Sequence, residues 1–167
     1  MPDDHKLESF DVKSLFTSIP LQLALDCTAN AIKNSTVELP LPTDDIRDLL
    51  NLCLTSTYFQ YKLANTTNSY TVNAAMSSPV SVVMTEIVMQ NIEEKALATY
   101  TWTVPLWLHY VDDTFTAVHK DGNDDFHKHL NRQNTDIQFT KEIKENGKIP
   151  FLDCLVTRDN NKLKTTI

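Results

Sequence analysis

Pairs of adjacent aspartates are the residues of this sequence whose types and spacing most clearly suggest chemistry. Four such pairs occur, at positions 3–4, 44–45, 112–113 and 124–125, so the dipeptide alone is not diagnostic. The pair Asp112–Asp113 stands out because it interrupts two β-forming segments with no Gly, Asn or Pro to explain a turn. Two carboxylates at a hairpin tip repel each other and lose hydration, and a divalent cation would relieve both costs. An acidic hairpin turn without a cation is equally compatible with this spacing.

A third carboxylate, Asp11, lies at the end of another apolar, strand-like segment, Leu7–Val12. One aspartate at a strand end and a second on a neighbouring hairpin is the arrangement that two-metal phosphoryl transfer requires. Such sites hold two cations roughly 3.5–4 Å apart, which stabilise the attacking and leaving oxygens. Carboxylate oxygens suit Mg²⁺ and Mn²⁺. We therefore expect Asp11, Asp112 and Asp113 to converge on two Mg²⁺ ions, with Mn²⁺ as a substitute.

Helices and strands must alternate along the chain to bring these carboxylates together. Apolar periodicity predicts helices over about 20–35, 43–53, 79–98 and 124–132. Alternating residues and turn signals predict strands over about 7–12, 58–63, 69–72, 106–111, 114–118, 137–143, 150–157 and 162–166. The pattern indicates one α+β domain over residues 1–167, with an antiparallel sheet and helices packed on one face of it.

Composition narrows the classes of protein to which the chain can belong. Its 167 residues are 41% hydrophobic, which fits a folded domain. No segment has the roughly 20 apolar residues that span a bilayer, and the acidic start does not resemble a signal peptide. We therefore expect an intracellular protein, in the nucleus or the cytoplasm, with no membrane partner. The three widely spaced cysteines argue against a disulfide framework and a zinc site.

Four segments resemble motifs of reverse transcriptases, and they occur in the order found in that family. Residues 10–20 resemble the first catalytic motif, and residues 110–113 (YVDD) resemble the second. Residues 75–81 are similar to the loop and helix start that support the template and the incoming nucleotide. Downstream, residues 137–142 and 149–155 are similar to a segment typical of Penelope-like retroelements. The resemblance implies a palm region of a reverse transcriptase, an RNA-directed DNA polymerase.

The same resemblance implies roles for individual residues around the metal ions. Asp11 and Asp112 would bind both ions, Asp113 would assist, and the carbonyl of Val12 would be a further ligand. Phe16 would lie beneath the sugar and exclude a 2′-hydroxyl, although a core phenylalanine is an equally ordinary reading of the sequence.

Substrate contacts are implied as well. Lys141 or Lys144 would approach the triphosphate as a proton donor, with surface lysines on a strand as the common alternative. Phe151 and Leu152 would lie in the hairpin that grips the primer end, with ordinary core packing as the alternative. The nucleotide-binding loop and helix start would include Met76, Ser77 and Pro79.

The sequence also differs from the family motifs at several positions. Asn73 and Ser77 stand where the family has glycine, and His109 stands where it has arginine before the YVDD motif. Glycine allows close backbone approach and positive φ angles, so the loop that contains Ser77 is expected to differ from that of the family.

The expected partners are an RNA or DNA template with its primer and a deoxynucleotide. The net charge of −7 leaves few cations for phosphate contacts. We therefore expect basic fingers and thumb regions, missing from this sequence, or another chain, to complete the enzyme, and we expect this chain alone to polymerise poorly. Two alternatives stay open: a non-catalytic retroelement relic, and another two-metal enzyme with a palm-like fold such as a nucleotidyl cyclase.

Overall fold

The computed structural model describes residues 4–56, 58–63, 66–71, 78–142, 148–159 and 162–166. The chain divides into two compact units. The first unit comprises residues 1–13 and 92–167, and the second comprises residues 14–91. Each unit is described by itself below, and the expectation of one domain stays a prediction. All three predicted metal-binding aspartates lie in the first unit.

The elements are those of an α+β protein with antiparallel sheets, as expected. The described strands are β1 (His5–Val12), β2 (Tyr58–Leu63), β3 (Thr66–Thr71), β4 (Leu106–Tyr110), β5 (Asp113–His119), β6 (Phe139–Lys141), β7 (Ile149–Phe151), β8 (Cys154–Asp159) and β9 (Lys162–Thr166). The described helices are α1 (Leu15–Ser18), α2 (Leu21–Asn34), α3 (Thr43–Thr55), α4 (Pro79–Thr99) and α5 (Asn123–Asn131). None of these helices is long and apolar enough to cross a membrane.

The main sheet of the first unit has the strand order β4–β5–β1–β6. Residues directly opposite each other on neighbouring strands share a face. Because Ser9 lies opposite Phe115 and Asp11 lies opposite Asp113, all four side chains belong to one face, which we call the carboxylate face. Phe10 belongs to the other face, which we call the helix face.

Helix α5 packs on the helix face through an aromatic cluster. The ring of Phe126 lies 6.1 Å from that of Phe10 and 5.9 Å from that of Trp107 on β4. The C-terminal part of α4 joins the same layer, since the Nε2 atom of His129 on α5 lies 2.9 Å from the carbonyl oxygen of Ala96. The prediction that helices pack on one face of an antiparallel sheet is thus confirmed for this unit.

A second, three-stranded sheet of order β7–β8–β9 packs on the carboxylate face. Its apolar side chains pack against the main sheet, and the ring of Phe151 lies 5.3 Å from that of Phe115. The buried residues of this cluster are Leu7, Phe115, Ala117, Ile149 and Val156. The strands β1 and β5 are therefore buried on both faces, except at the end that carries the aspartates.

The second unit contains α1, α2, α3 and the hairpin β2–β3. Helices α2 and α3 are joined by an ion pair in which the Nη2 atom of Arg47 lies 2.8 Å from the Oδ1 atom of Asp26. Strand β3 begins at Thr66, earlier than the predicted start at Ser69. The Ser78–Pro79 helix start is confirmed, because α4 begins at Pro79.

One predicted strand, over residues 150–157, is wrong. The segment forms two strands, β7 and β8, which pair as a hairpin across Leu152 and Asp153. Leu152 has a φ of 51°, in the left-handed region that side chains other than Gly and Asn rarely adopt. No glycine marks this reversal, and residue alternation did not signal the break, although the family resemblance implied a hairpin at Phe151 and Leu152.

The strain at Leu152 makes a prediction about stability. Leu152 is 48% exposed, so its side chain contributes little burial, and glycine would relieve the left-handed backbone. We expect Leu152→Gly to raise the free energy of unfolding by about 1 kcal/mol. The matched control is Leu163→Gly on β9, at 46% exposure, where glycine should lower stability by about 0.5–1 kcal/mol. Urea denaturation of both variants checks the signs, and a loss in both would contradict strain at Leu152.

Candidate active site

Two of the predicted aspartates meet at the open end of the main sheet. Asp11, near the end of β1, lies directly opposite Asp113, the first residue of β5. Both side chains are partly buried and lie on the carboxylate face. The fold therefore brings together two carboxylates that are 102 positions apart in the sequence, counted as 113 minus 11.

The third aspartate lies in the turn that joins β4 to β5. Tyr110 pairs with Asp113, so Val111 and Asp112 form a two-residue connection. Val111 has a φ of 57°, which is a genuine outlier for a β-branched residue. Strained backbone of this kind persists only where surrounding contacts hold it, and it is concentrated at functional sites.

Backbone contacts fix the turn against β1 and β1 against β6. The amide of Val12 donates a hydrogen bond of 3.0 Å to the carbonyl oxygen of Asp112. On the other side, the hydroxyl of Thr140 lies opposite Asp11 and donates to its carbonyl oxygen at 3.2 Å. Three segments that are distant in the sequence are thus joined around the carboxylates.

The surroundings of Asp11 and Asp113 raise the pKa of both carboxyl groups. Burial, followed by the nearby charge of Asp112, raises the pKa of Asp11 above its ordinary value. Burial also raises the pKa of Asp113, with further contributions from Asp112, Asp11 and Glu142. Both effects have the sign that a bound cation would reverse, because a positive charge favours the ionised form.

Glu142 is a fourth carboxylate at this site, and sequence reasoning did not select it. Its amide donates to the carbonyl oxygen of Ser9 at 2.9 Å, and its charge raises the pKa of Asp113. Glu142 follows Thr140 by two positions, so strand alternation places both residues on the face of Asp11. The alternation of residues 140 and 142 was visible in the sequence. The register in which β6 pairs with β1, which puts them on the face of Asp11, was not.

The raised pKa of Asp113 predicts an unusual response to mutation. When folding raises the pKa of a carboxyl group, the folded state binds its proton more tightly. The free energy of unfolding then falls as the pH rises from the unfolded value near 3.8 through the folded value. Asp113→Asn carries no charge, so we expect it to be more stable than the wild type at neutral pH in a metal chelator. The difference should disappear at pH values below about 3.8.

A control of opposite sign is available in the second unit. Hydrogen bonds from Gln22 and Arg47 lower the pKa of Asp26, so Asp26→Asn should be less stable than the wild type at neutral pH. Denaturant titrations across the pH range give both differences. Destabilisation in both variants would contradict mutual repulsion at the carboxylate face.

The chemical type of the carboxylate ligands favours metal binding at this site, whereas their arrangement does not by itself indicate it. Carboxylate oxygens are hard ligands of the kind that Mg²⁺ takes. The raised pKa values of Asp11 and Asp113 reflect burial first and neighbouring negative charge second. Within the described ranges, however, no group of three or more His, Cys, Asp and Glu side chains is placed to hold a metal ion. The metal-binding roles of Asp11, Val12, Asp112 and Asp113 stay predictions.

Lys141 is not brought together with the aspartates. It lies opposite Phe10 on the helix face, and its Nζ atom forms an ion pair of 3.0 Å with the Oε2 atom of Glu8. Lys6 binds the other oxygen of Glu8 at 3.3 Å. The ammonium group of Lys141 therefore neutralises a buried carboxylate on the face opposite Asp11.

The remaining predicted site residues are placed as follows. Phe151 and Leu152 lie at the β7–β8 hairpin, which packs on the carboxylate face, and their role at the primer end stays a prediction. Phe16 is partly buried in α1, and Pro79 is exposed at the start of α4, both in the second unit. Met76, Ser77 and Lys144 lie outside the described residues.

Comparison with known proteins supports the fold and leaves the chemistry open. No family model matches the sequence, and no curated protein matches it either. Among solved structures, the chain is similar to an apo telomerase from Candida tropicalis, truncated from its C-terminal domain. The TM-score is 0.66 at 15% sequence identity, over 97% of this chain and 35% of the telomerase chain.

These observations define a mixed helix and antiparallel sheet protein whose fold is similar to that of the telomerase structure. At 15% identity the similarity concerns the fold alone. The chain also spans only 35% of the length of that structure. Activity, substrates and partners are therefore matters for proposal.

Proposed function

We propose that this chain is the palm region of a reverse transcriptase and that its carboxylate face serves nucleotidyl transfer onto a primer 3′-hydroxyl. The observation that supports this most strongly is the direct opposition of Asp11 and Asp113 beside the strained Val111–Asp112 turn. An acidic turn without function gives no reason for a third carboxylate, from a distant strand, at the same sheet end.

Each group of the site has a part in this chemistry. Asp11, Asp112 and Asp113, with the Val12 carbonyl, would hold two Mg²⁺ or Mn²⁺ ions. Bound there, such ions stabilise the attacking and leaving oxygens of an in-line displacement. Thr140 and the Val12 amide keep the two carboxylate segments in register.

Substrate contacts come from elements on the same face. In this proposal the β7–β8 hairpin, in which Phe151 packs on Phe115, holds the primer end. Lys141, one of the two lysines expected near the triphosphate, is paired with Glu8, so the proposal assigns it no role in the transfer.

The proposed substrates are a deoxynucleotide and a primer paired with an RNA or DNA template. The net charge of −7 favours a further basic region, in fingers and thumb or in another chain, for most of the phosphate contacts. Kinship with Penelope-like elements is part of the proposal, and it rests on residues 137–142 and 149–155.

A non-catalytic relative of such an enzyme is the second candidate. The placement of Lys141 favours it, because this lysine neutralises Glu8 instead of facing the carboxylates. A template distinguishes the first proposal from a nucleotidyl cyclase, which acts on its nucleotide without one.

The test uses a fluorescent primer annealed to an RNA template and ended by a dideoxynucleotide, so that binding is measured without chemistry. With Mn²⁺ present, we expect the complementary deoxynucleotide to strengthen duplex binding by the chain more than the other three do. Asp113→Asn should remove this difference, and Asp45→Asn, which changes an exposed acid in the first turn of α3, should keep it.

Three results of the anisotropy titration would contradict the proposal. Equal strengthening by all four nucleotides would show that no template is read. If the complementary deoxynucleotide still strengthened duplex binding most in Asp113→Asn, nucleotide selection would not depend on the carboxylates. The lack of any cation-dependent nucleotide effect in folded wild type would favour the non-catalytic candidate.

A further inference from the structure

We propose that His109 is a positioning residue that holds the Val111–Asp112 turn by linking it to Glu93 of α4. The Nε2 atom of His109 lies 2.6 Å from the carbonyl oxygen of Val111. Its Nδ1 atom lies 3.2 Å from the Oε1 atom of Glu93. The consequence for cation binding rests on the proposed function, whereas the consequence for the geometry of the turn does not.

The two neighbours of the ring determine its charge. The carbonyl oxygen of Val111 only accepts hydrogen bonds, so the Nε2 atom of His109 carries a proton and donates to it. The Nδ1 atom forms an ion pair with Glu93 at 3.2 Å, and in this proposal the ring is an imidazolium cation. This also accounts for Glu93, which is 6% exposed and whose Oε1 atom is buried without a hydrogen bond. A buried carboxylate needs a positive charge beside it, and His109 supplies one.

The turn requires such a contact because its backbone is strained. Val111 has a φ of 57°, and a β-branched residue leaves that conformation unless its surroundings hold it. A charged donor makes a hydrogen bond about twice as strong as a neutral one. The bond from His109 to the carbonyl of Val111 itself acts directly on the strained peptide.

Both carbonyl groups of the turn are then held, from different elements. The carbonyl of Val111 accepts from His109, and that of Asp112 accepts from the amide of Val12 at 3.0 Å. The first contact leads through His109 to Glu93 on the helix face, and the second leads to β1. The backbone of the turn that carries Asp112 is thereby held from the helix face and from the neighbouring strand β1.

The decisive variants are His109→Gln, Glu93→Gln and His109→Arg, studied in the whole chain. His129→Gln is the matched control, since His129 also contacts a backbone carbonyl, that of Ala96 at 2.9 Å. Arginine keeps a permanent charge and several donors, so it should satisfy both acceptors. Two readouts are used: the amide resonances of residues 111–114 with the ring nitrogen shifts of His109, and Mn²⁺ affinity by calorimetry.

We expect the wild type to show an imidazolium at His109. His109→Gln and Glu93→Gln should displace the turn resonances and lower Mn²⁺ affinity by about tenfold or more, the scale seen for residues that support metal ligands. His109→Arg should return both readouts towards the wild type, and His129→Gln should change neither. A residue with a general structural role would not be rescued by arginine in this way.

A neutral His109 ring in the wild type would overturn the inference. Turn resonances unchanged in folded His109→Gln would do so as well, as would a folded His109→Arg that resembles His109→Gln. Should His109→Gln fail to fold, Glu93→Gln provides the same comparison, and unchanged turn resonances there would count against the inference. Wild type that binds no Mn²⁺ would contradict the proposed function, while the resonances would still decide the role of His109.

Discussion

Replacing Phe126 with alanine is expected to destabilise the protein by about 3–5 kcal/mol, the range found for large aromatic residues removed from a core. Phe126 has no exposed surface, and its ring lies 4.7 Å from that of Tyr100, 5.9 Å from Trp107 and 6.1 Å from Phe10. Each such aromatic pair contributes about 0.5–1.5 kcal/mol beyond its buried area. A typical domain has only about 5–15 kcal/mol in total, so the variant would lose a large part of it.

The control for this prediction is Phe126→Leu, which keeps an apolar side chain of closer volume and should cost clearly less. Both values come from denaturant midpoints read by circular dichroism. Because Phe10 precedes Asp11 on β1, loosening of this cluster should also broaden the amide resonances around Asp11. A loss below about 1 kcal/mol in Phe126→Ala would mean that α5 does not pack on the helix face as described.

The elements that carry the site could be predicted because their signals are local. Strongly β-forming residues on both sides of Asp112–Asp113 predicted a hairpin, and β4 and β5 form one. Ser78–Pro79 predicted a helix start, and α4 begins there. The end of β1 at Val12 followed from the same kind of pattern.

The faces of the sheet could not be predicted, because they depend on register. A shift of one residue moves a whole strand to the other face, and the sequence of β6 does not specify its partner on β1. Lys141 and Glu142 show the consequence. Lys141, one of the two expected proton donors, lies with Glu8 on the helix face, and the unselected Glu142 lies on the carboxylate face.

Left-handed backbone at residues other than glycine was the second source of error. Val111 and Leu152 both reverse the chain at positive φ, and neither residue type signals a turn. At Leu152 this hid the break between β7 and β8. At Val111 the turn was predicted from its surroundings, but its contact with His109, and the link from His109 to Glu93 on α4, are tertiary contacts that the residues around the turn do not reveal.

Titration of Mn²⁺ into the chain by calorimetry, with a deoxynucleotide present, tests the carboxylate site most directly. The variant to compare is Asp112→Asn, because the charge of Asp112 acts on both Asp11 and Asp113. Asp45→Asn is the control, since it alters the adjacent aspartate pair that opens α3 and is exposed. Circular dichroism establishes that all three proteins are folded.

We predict that the wild type and Asp45→Asn bind Mn²⁺ alike and that Asp112→Asn loses at least about tenfold in affinity. Loss of a direct ligand should cost no less than the 10–100-fold that follows loss of a residue supporting one. Binding that survives Asp112→Asn at full strength, or a folded wild type that binds no Mn²⁺, would contradict a cation site built from Asp11, Asp112 and Asp113.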